Sequence, residues 1–177
     1  NSPSIRGGIG ARKITISTSG VVPRIRELAA DPLQFRLAIS LHGATDAVRS
    51  QIMPVNRKYP LGELLAACDE YVRLKGKMIT LEYILIDGVN DALSEVEPLA
   101  RLARRLAAKV NLIPYNPGLD GTYARPNSDQ VKTFFHILQD AGQRCRIRGT
   151  KGDNAMAACG QLGNRTLGRK RPALETV

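Results

Sequence analysis

Cysteine, histidine and acidic side chains are all scarce in this chain. Its 177 residues include three cysteines and two histidines, and 16 Asp+Glu stand against 26 Lys+Arg. Cys68, Cys145 and Cys159 cannot build a disulfide framework, and their odd number points to a reducing compartment, so a cytoplasmic location is expected. No apolar run approaches a membrane span, and the opening residues NSPSIRGGIGARK lack the apolar core of a signal peptide. His42 is a lone histidine for which metal ligation is not expected, and His136 belongs to an ordinary helical pattern, so no metal ligands are expected here. The G-x-S-x-G elbow and the G-x-x-x-x-G-K-[ST] phosphate loop are missing, and no G-x-G-x-x-G follows a strand. Those absences argue against a serine hydrolase of that type, a P-loop nucleotidase and a dinucleotide-binding domain.

What is abundant is positive charge, a net +10. It gathers at Arg101/Arg104/Arg105, at Arg144/Arg146/Arg148/Lys151 and at Arg165/Arg169/Lys170/Arg171. An excess of this size suits a polyanion, RNA or DNA before a membrane surface, because no basic helix presents an exposed apolar face. A basic but merely solvated surface is the plain alternative.

Five β-prone runs alternate with helical patterns. KITISTS (13–19), FRLAISL (35–41), MITLEYILI (78–86), VNLIPY (110–115) and RCRIR (144–148) read as strands. Between the first two, Pro23 suits a first helical turn. A short segment from Thr45 precedes a helix in LGELLAACDEYVRLKG, whose Leu61, Leu64, Leu65, Cys68 and Val72 keep the spacing of one buried face. Ser94 and Glu97 form the pattern of a capping box before Val96, Leu99, Leu102 and Leu106. SDQVKTFFHILQDAG is expected to start at a Ser/Asp cap and to stop at Gly142. Strand–helix alternation of this kind means parallel β/α units. Five strands cannot close an eight-stranded barrel, so the chain is expected to be part of one, cut within a larger unit, or else a complete open sheet.

In parallel β/α folds the ligand site lies at the carboxyl ends of the strands. Those ends read STSG (17–20), SLHG (40–43), IDGVND (86–91) and PYNPG (114–118), followed by the loop around Cys159. Each of the four carries hydroxyl, amide, carboxylate or imidazole groups beside glycine or proline. Any one of these loops could simply be a turn. Together, on one rim, they suit a polar and mostly neutral ligand. Cys159 sits among Ala157, Ala158 and Gly160 with Arg148 and Lys151 nearby, surroundings that favour the nucleophilic thiolate. Cys68 and Cys145 are expected to be buried, and His42 to contact a ligand.

Taken in order, RKITISTSGVVP, LAISLHGATDAVRSQIMPVNRKYPL, EYILIDGVND, NLIPYNP and AACGQL resemble the radical S-adenosylmethionine (SAM) methyltransferases that modify adenine carbon 2 in ribosomal and transfer RNA. The resemblance runs from about Gly10 to Leu162. It implies an α/β fold, a partial β/α barrel of the radical SAM type truncated at its N-terminal side. Residues 1–162 would form the barrel portion and 163–177 a basic tail. Ser17, Ser40, Leu41, His42 and Asn116 match family positions that contact SAM, and Cys159 matches the cysteine that becomes methylated. The family's [4Fe-4S] cluster is held by a C-x-x-x-C-x-x-C loop that is expected upstream of this chain, which alone would be inactive.

The mechanism implied by the resemblance uses two SAM molecules. One methylates Cys159; the other, cleaved by an electron from the cluster, yields a radical that takes hydrogen from the methylated sulfur. The resulting methylene radical adds to adenine, and a second cysteine resolves the covalent protein–RNA intermediate through a disulfide. The implied partners are 23S rRNA, tRNA and an electron donor such as flavodoxin, with the protein a monomer and no membrane involved. Two departures from the family's G-x-D-I-x-A-A-C stand at Asn154 and Ala155. The rivals are a sister enzyme acting at adenine carbon 8 and a non-catalytic RNA- or SAM-binding module.

Overall fold

A computed structural model describes residues 10–76, 79–117 and 122–149. Its elements in chain order are β1 (Thr15–Thr18), α1 (Val22–Ala30), β2 (Arg36–Ser40), α2 (Asp46–Ile52), α3 (Leu61–Lys75), β3 (Ile79–Leu85), α4 (Val96–Arg105), β4 (Lys109–Pro114), α5 (Ser128–Asp140) and β5 (Cys145–Ile147). All five strands are parallel, and their spatial order is their sequence order, β1-β2-β3-β4-β5. A doubly wound sheet would reverse direction partway. Unbroken order is what an arc of a β/α barrel requires.

The alternation of side chains along each strand separates two unlike faces. Leu37 and Ile39 of β2, Leu81, Tyr83 and Leu85 of β3, and Val110 and Leu112 of β4 share one core with the helices. Ile25, Leu64, Leu99 and Phe134 come down on them from α1, α3, α4 and α5. Tyr83 and Phe134 stack with ring centroids 5.9 Å apart. The other face is polar. Register aligns Ser17 with Ala38, Ser40 with Glu82, Glu82 with Asn111, and Asn111 with Arg146. A parallel sheet packed on both sides has apolar side chains on both. This one has a single dry face, and its other face is left for polar contacts.

Local sequence explains most of the elements. Pro23 falls in the first turn of α1. Thr45 caps α2 by accepting the Val48 amide at 3.3 Å. Helix α3 ends at Gly76, whose φ of 57° is the left-handed conformation that glycine tolerates. Its buried side includes Leu64, Leu65 and Cys68 as the spacing requires; fully buried Tyr71 belongs to it too, while Val72 is half-buried. Tyr71 can sit there because its hydroxyl donates to the Phe35 carbonyl at 2.7 Å.

Three expectations need correction. The capping box of Ser94 and Glu97 does not form. A 3-10 turn, Leu93–Glu95, runs directly into α4 with Glu95 at the cap in helical conformation, and no side chain caps it. Glu97 instead pairs with Arg104 at 2.8 Å. Helix α5 is capped one residue earlier than the Ser/Asp pair, by Asn127, which accepts the Gln130 amide at 2.7 Å. Cys145 is half-buried, not enclosed, because β5 is a short edge strand.

Candidate functional site

The ends of β1, β2 and β3 are joined by two buried side chains. Arg49 of α2 is fully buried. Its Nε donates to the Leu41 carbonyl at 3.1 Å, one terminal nitrogen to the Ser19 carbonyl at 2.7 Å, and the other to Asn56 Oδ1 at 2.8 Å. Asn56 in turn donates to Asp46 Oδ1 at 2.8 Å and to Ser50 at 2.9 Å. The buried positive charge thus reaches a carboxylate through one amide, and Asp46 also accepts the first amide of α3, Leu61, at 2.8 Å.

Two glycines make room for this arrangement. A Cβ on Gly43 would lie 2.6 Å from the Arg49 backbone, and one on Gly20 would lie 2.9 Å from its guanidinium. Gly20 also has a φ of 103°, which few residues other than glycine adopt.

Asn90 does the same work one strand over. Its Oδ1 accepts the Ile86 amide at 2.7 Å, and its Nδ2 donates to the carbonyls of His42 at 2.8 Å and Ile84 at 2.6 Å. His42 is held with φ at 56°, and its Nδ1 accepts the Ile84 amide at 3.2 Å. The imidazole is therefore neutral, with its proton on Nε2. Burial and the Arg49 charge push its pKa down to about 4, against a smaller opposing effect of the Glu82 backbone.

The residues singled out from sequence fall on this rim, with one exception. Ser17 is exposed on the polar face of β1, and Ser40 is half-buried on the same face at the end of β2. Leu41 and His42 follow it into the interior. Asn116 is half-buried two residues beyond β4. Cys159 lies outside the described residues, as do Asn154, Ala155 and the basic tail.

Arg49, Asn56 and Asn90 did not stand out in the sequence. Arg49 reads as one more surface arginine on a short helix, and Asn90 as a turn residue, because their partners are carbonyls of distant strands. The signal available was the pair of glycines, Gly20 and Gly43, facing the same position in space.

Beside Ser40, Glu82 accepts from Asn111 Nδ2 at 2.7 Å, and Arg146 Nε donates to Asn111 Oδ1 at 2.7 Å. The second Glu82 oxygen is buried with no donor among the described residues. A carboxylate oxygen short of a donor, on the same row as a serine hydroxyl, suits a ligand rich in hydroxyl and amine donors such as SAM. A metal cluster is another matter. Among the described residues no group of three or more His, Cys, Asp or Glu could hold a metal ion.

The basic groups divide into two populations. Arg24–Glu27, Arg26–Glu70, Arg104–Glu97, Arg105–Asp69 and Lys132–Asp129 are ion pairs of the helical layer. The Arg101/Arg104/Arg105 group expected to meet a polyanion is thus largely neutralised by its neighbours. Arg36, Lys109, Arg144, Arg146 and Arg148 instead line an open trough on the polar face, with no ion pair to any described residue.

The fold defines a class: a sequentially ordered parallel β/α arc with its ligand rim at the strand ends, the arrangement of the radical SAM enzymes. A crystal structure of a radical SAM methyltransferase from Sphaerobacter thermophilus superimposes with a TM-score of 0.82 at 49% identity, covering 86% of this chain and 45% of that one. Within the class, the chain is a homologue of the RlmN dual-specificity RNA methyltransferases. It is 52% identical over 155 residues to a probable enzyme of that name from Opitutus terrae, covering 88% of this chain and 41% of the relative. It is also 52% identical over 154 residues to one from Akkermansia muciniphila, covering 87% and 43%. The chain therefore spans about two-fifths of the curated relatives it matches. No protein family's sequence profile matches it.

Proposed function

We propose that this chain is the part of a radical SAM RNA methyltransferase that holds SAM and carries the methyl group, acting on carbon 2 of adenine in 23S rRNA and tRNA. The observation that supports this most is the rim itself. Ser17, Ser40 and His42 lie at the ends of adjacent strands locked together by Arg49 and Asn90, in a chain 52% identical to relatives named probable dual-specificity RNA methyltransferases.

In this reading Ser17 and Ser40 supply hydroxyls to the polar groups of SAM, while Leu41 and His42 supply backbone and imidazole contacts. Asn116 closes the site from the end of β4. The neutral imidazole matters, because a cationic one would repel the sulfonium. Cys159 acts as methyl carrier. Its thiolate attacks the methyl carbon of SAM, an S–CH3 bond forms as the sulfonium–CH3 bond breaks, and S-adenosylhomocysteine leaves with the electron pair. Of the three cysteines it is the one left for this work. Burial pushes the Cys68 thiol up to about 12 and the Cys145 thiol up to about 11, so both stay protonated at neutral pH. The methylated cysteine is then the carbon donor to adenine. A [4Fe-4S] cluster and a second SAM, when bound elsewhere in the full-length protein, would supply the radical that breaks a C–H bond of that methyl group, since the described residues offer no ligand set for the cluster.

The test is Cys159→Ala in the full-length protein, assayed with isotopically labelled SAM. RNA methylation is expected to fall to background, and the peptide containing Cys159 in the unmutated protein should carry one added methyl group. Turnover surviving in the variant would remove the methyl-carrier role.

A further inference from the structure

We propose that Arg144, Arg146 and Arg148 form a rail along β5 that holds successive phosphates of single-stranded RNA, with Arg36 and Lys109 completing the track across the trough. The inference rests on the reading of the protein as an RNA methyltransferase and assigns part of its substrate contact to the polar face beside the cofactor rim.

Three observations carry it. First, the pairing extends past both ends of β5: the Val110 amide donates to the Arg144 carbonyl at 2.9 Å and the Arg148 amide to the Leu112 carbonyl at 2.8 Å. Residues 144 to 148 are thus one extended run, in which alternate side chains share a face. All three arginines line the same trough; Cys145 between them also borders it, with its side chain packed against the core. Positions two apart on a parallel strand are about 6.6 Å apart, close to the step between neighbouring phosphates of one nucleic-acid strand.

Second, the charge on this face is unanswered. Among the described residues lining it, five cations face the single carboxylate of Glu82 and none is ion-paired, whereas the helical layer matches cation to anion repeatedly. Third, the middle arginine is held in place. Arg146 is anchored through Nε to the neutral Asn111 Oδ1, which fixes the side chain without cancelling its charge and leaves both terminal nitrogens for a phosphate. A solvated cationic surface needs no such anchor. Charge complementarity therefore selects a polyanion as the occupant, and the even spacing selects a flexible single strand.

The test measures binding of a short, fluorescein-labelled, unstructured RNA to the full-length protein over a series of salt concentrations. Each phosphate contact on a single strand contributes about 0.7 to the slope of log affinity against log salt. The triple variant R144Q/R146Q/R148Q is expected to reduce that slope by about 2. The double variant R144Q/R148Q, which keeps the Arg146–Asn111 bond and so guards against misfolding, is expected to reduce it by about 1.4. SAM binding should be unchanged in the double variant, which leaves the Arg146–Asn111–Glu82 chain intact. An unchanged slope in the double variant, with wild-type RNA affinity intact, overturns the rail and leaves the methyltransferase reading standing. Lower melting temperature or self-association at unchanged slope would make these residues an intramolecular contact or edge protection, and would also overturn it. A wild-type protein that binds SAM but no RNA would remove the RNA reading itself.

Discussion

At His42 a bulky residue turns through a φ of 56°, a conformation that costs a non-glycine residue about 1 kcal/mol or more. It is held by its own side chain, since Nδ1 accepts the Ile84 amide, and by Asn90, which takes the His42 carbonyl. Because the folded pKa lies near 4 while an unfolded histidine titrates near 6.5, the unfolded state binds the extra proton first as pH falls. This group's contribution is therefore complete above pH ~6.5 and is lost progressively down to pH ~4, a change of about 3 kcal/mol. Urea unfolding of the purified chain between pH 7 and pH 4.5 should show that loss, and His42→Gln should flatten it relative to the unmutated chain. Parallel pH profiles for the two proteins would mean that His42 is not the buried neutral group described here.

At the scale of the element, the fold is held where strands end rather than along their length. The parallel ladder gives every strand similar backbone pairing, and beyond it Arg49, Asn90 and the His42 imidazole tie one strand's exit to the next. Asn90→Ala would leave the Ile86 amide and the His42 and Ile84 carbonyls without partners in the interior. With each such group costing about 1–3 kcal/mol, a loss of about 3 kcal/mol is expected, read as a lower urea midpoint at unchanged slope. A loss under about 1 kcal/mol would show that water replaces the amide. The helices, by contrast, depend on packing more than on caps. Helix α4 forms with no side-chain cap because Val96, Leu99, Ala100 and Ala103 are buried against the sheet. That is why the Ser94–Glu97 pattern, a correct local signal, was not used.

For the whole molecule, one side of the sheet is a hydrophobic core and the other a working surface. The rim of strand ends and the cationic trough share that surface, so on the proposed reading SAM and RNA would approach from the same side of the sheet. The two are separable in principle. Replacing Ser40 and Asn116 by phenylalanine in the full-length protein should weaken SAM binding at least about tenfold, roughly 1.4 kcal/mol, while RNA affinity changes little. Titration of each ligand separately decides this. Equal losses for both ligands would indicate disruption of the sheet instead.

Periodicity by itself determined the five strands, the alternation with helices and the buried faces of α3 and α4, because a residue's side of a strand or helix follows from its spacing alone. The strand-end segments STSG, SLHG and PYNPG likewise stood out as glycine, proline and small polar residues at strand exits, while singling out Ser17, Ser40, His42 and Asn116 as SAM contacts rested on the family resemblance and stands as a proposal. Only the tertiary structure decided that Arg49 is a buried clamp and Arg104 a surface ion pair, although both are arginines on amphipathic helices. It also decided that Arg146 of β5 meets the neutral Asn111 while Arg104 and Arg105 of α4 meet carboxylates. The reason is the same in each case. Charge and hydrogen-bond partners lie many residues away along the chain, as Arg49 and Ser19 do, and their meeting depends on how strands and helices pack, which no local spacing encodes.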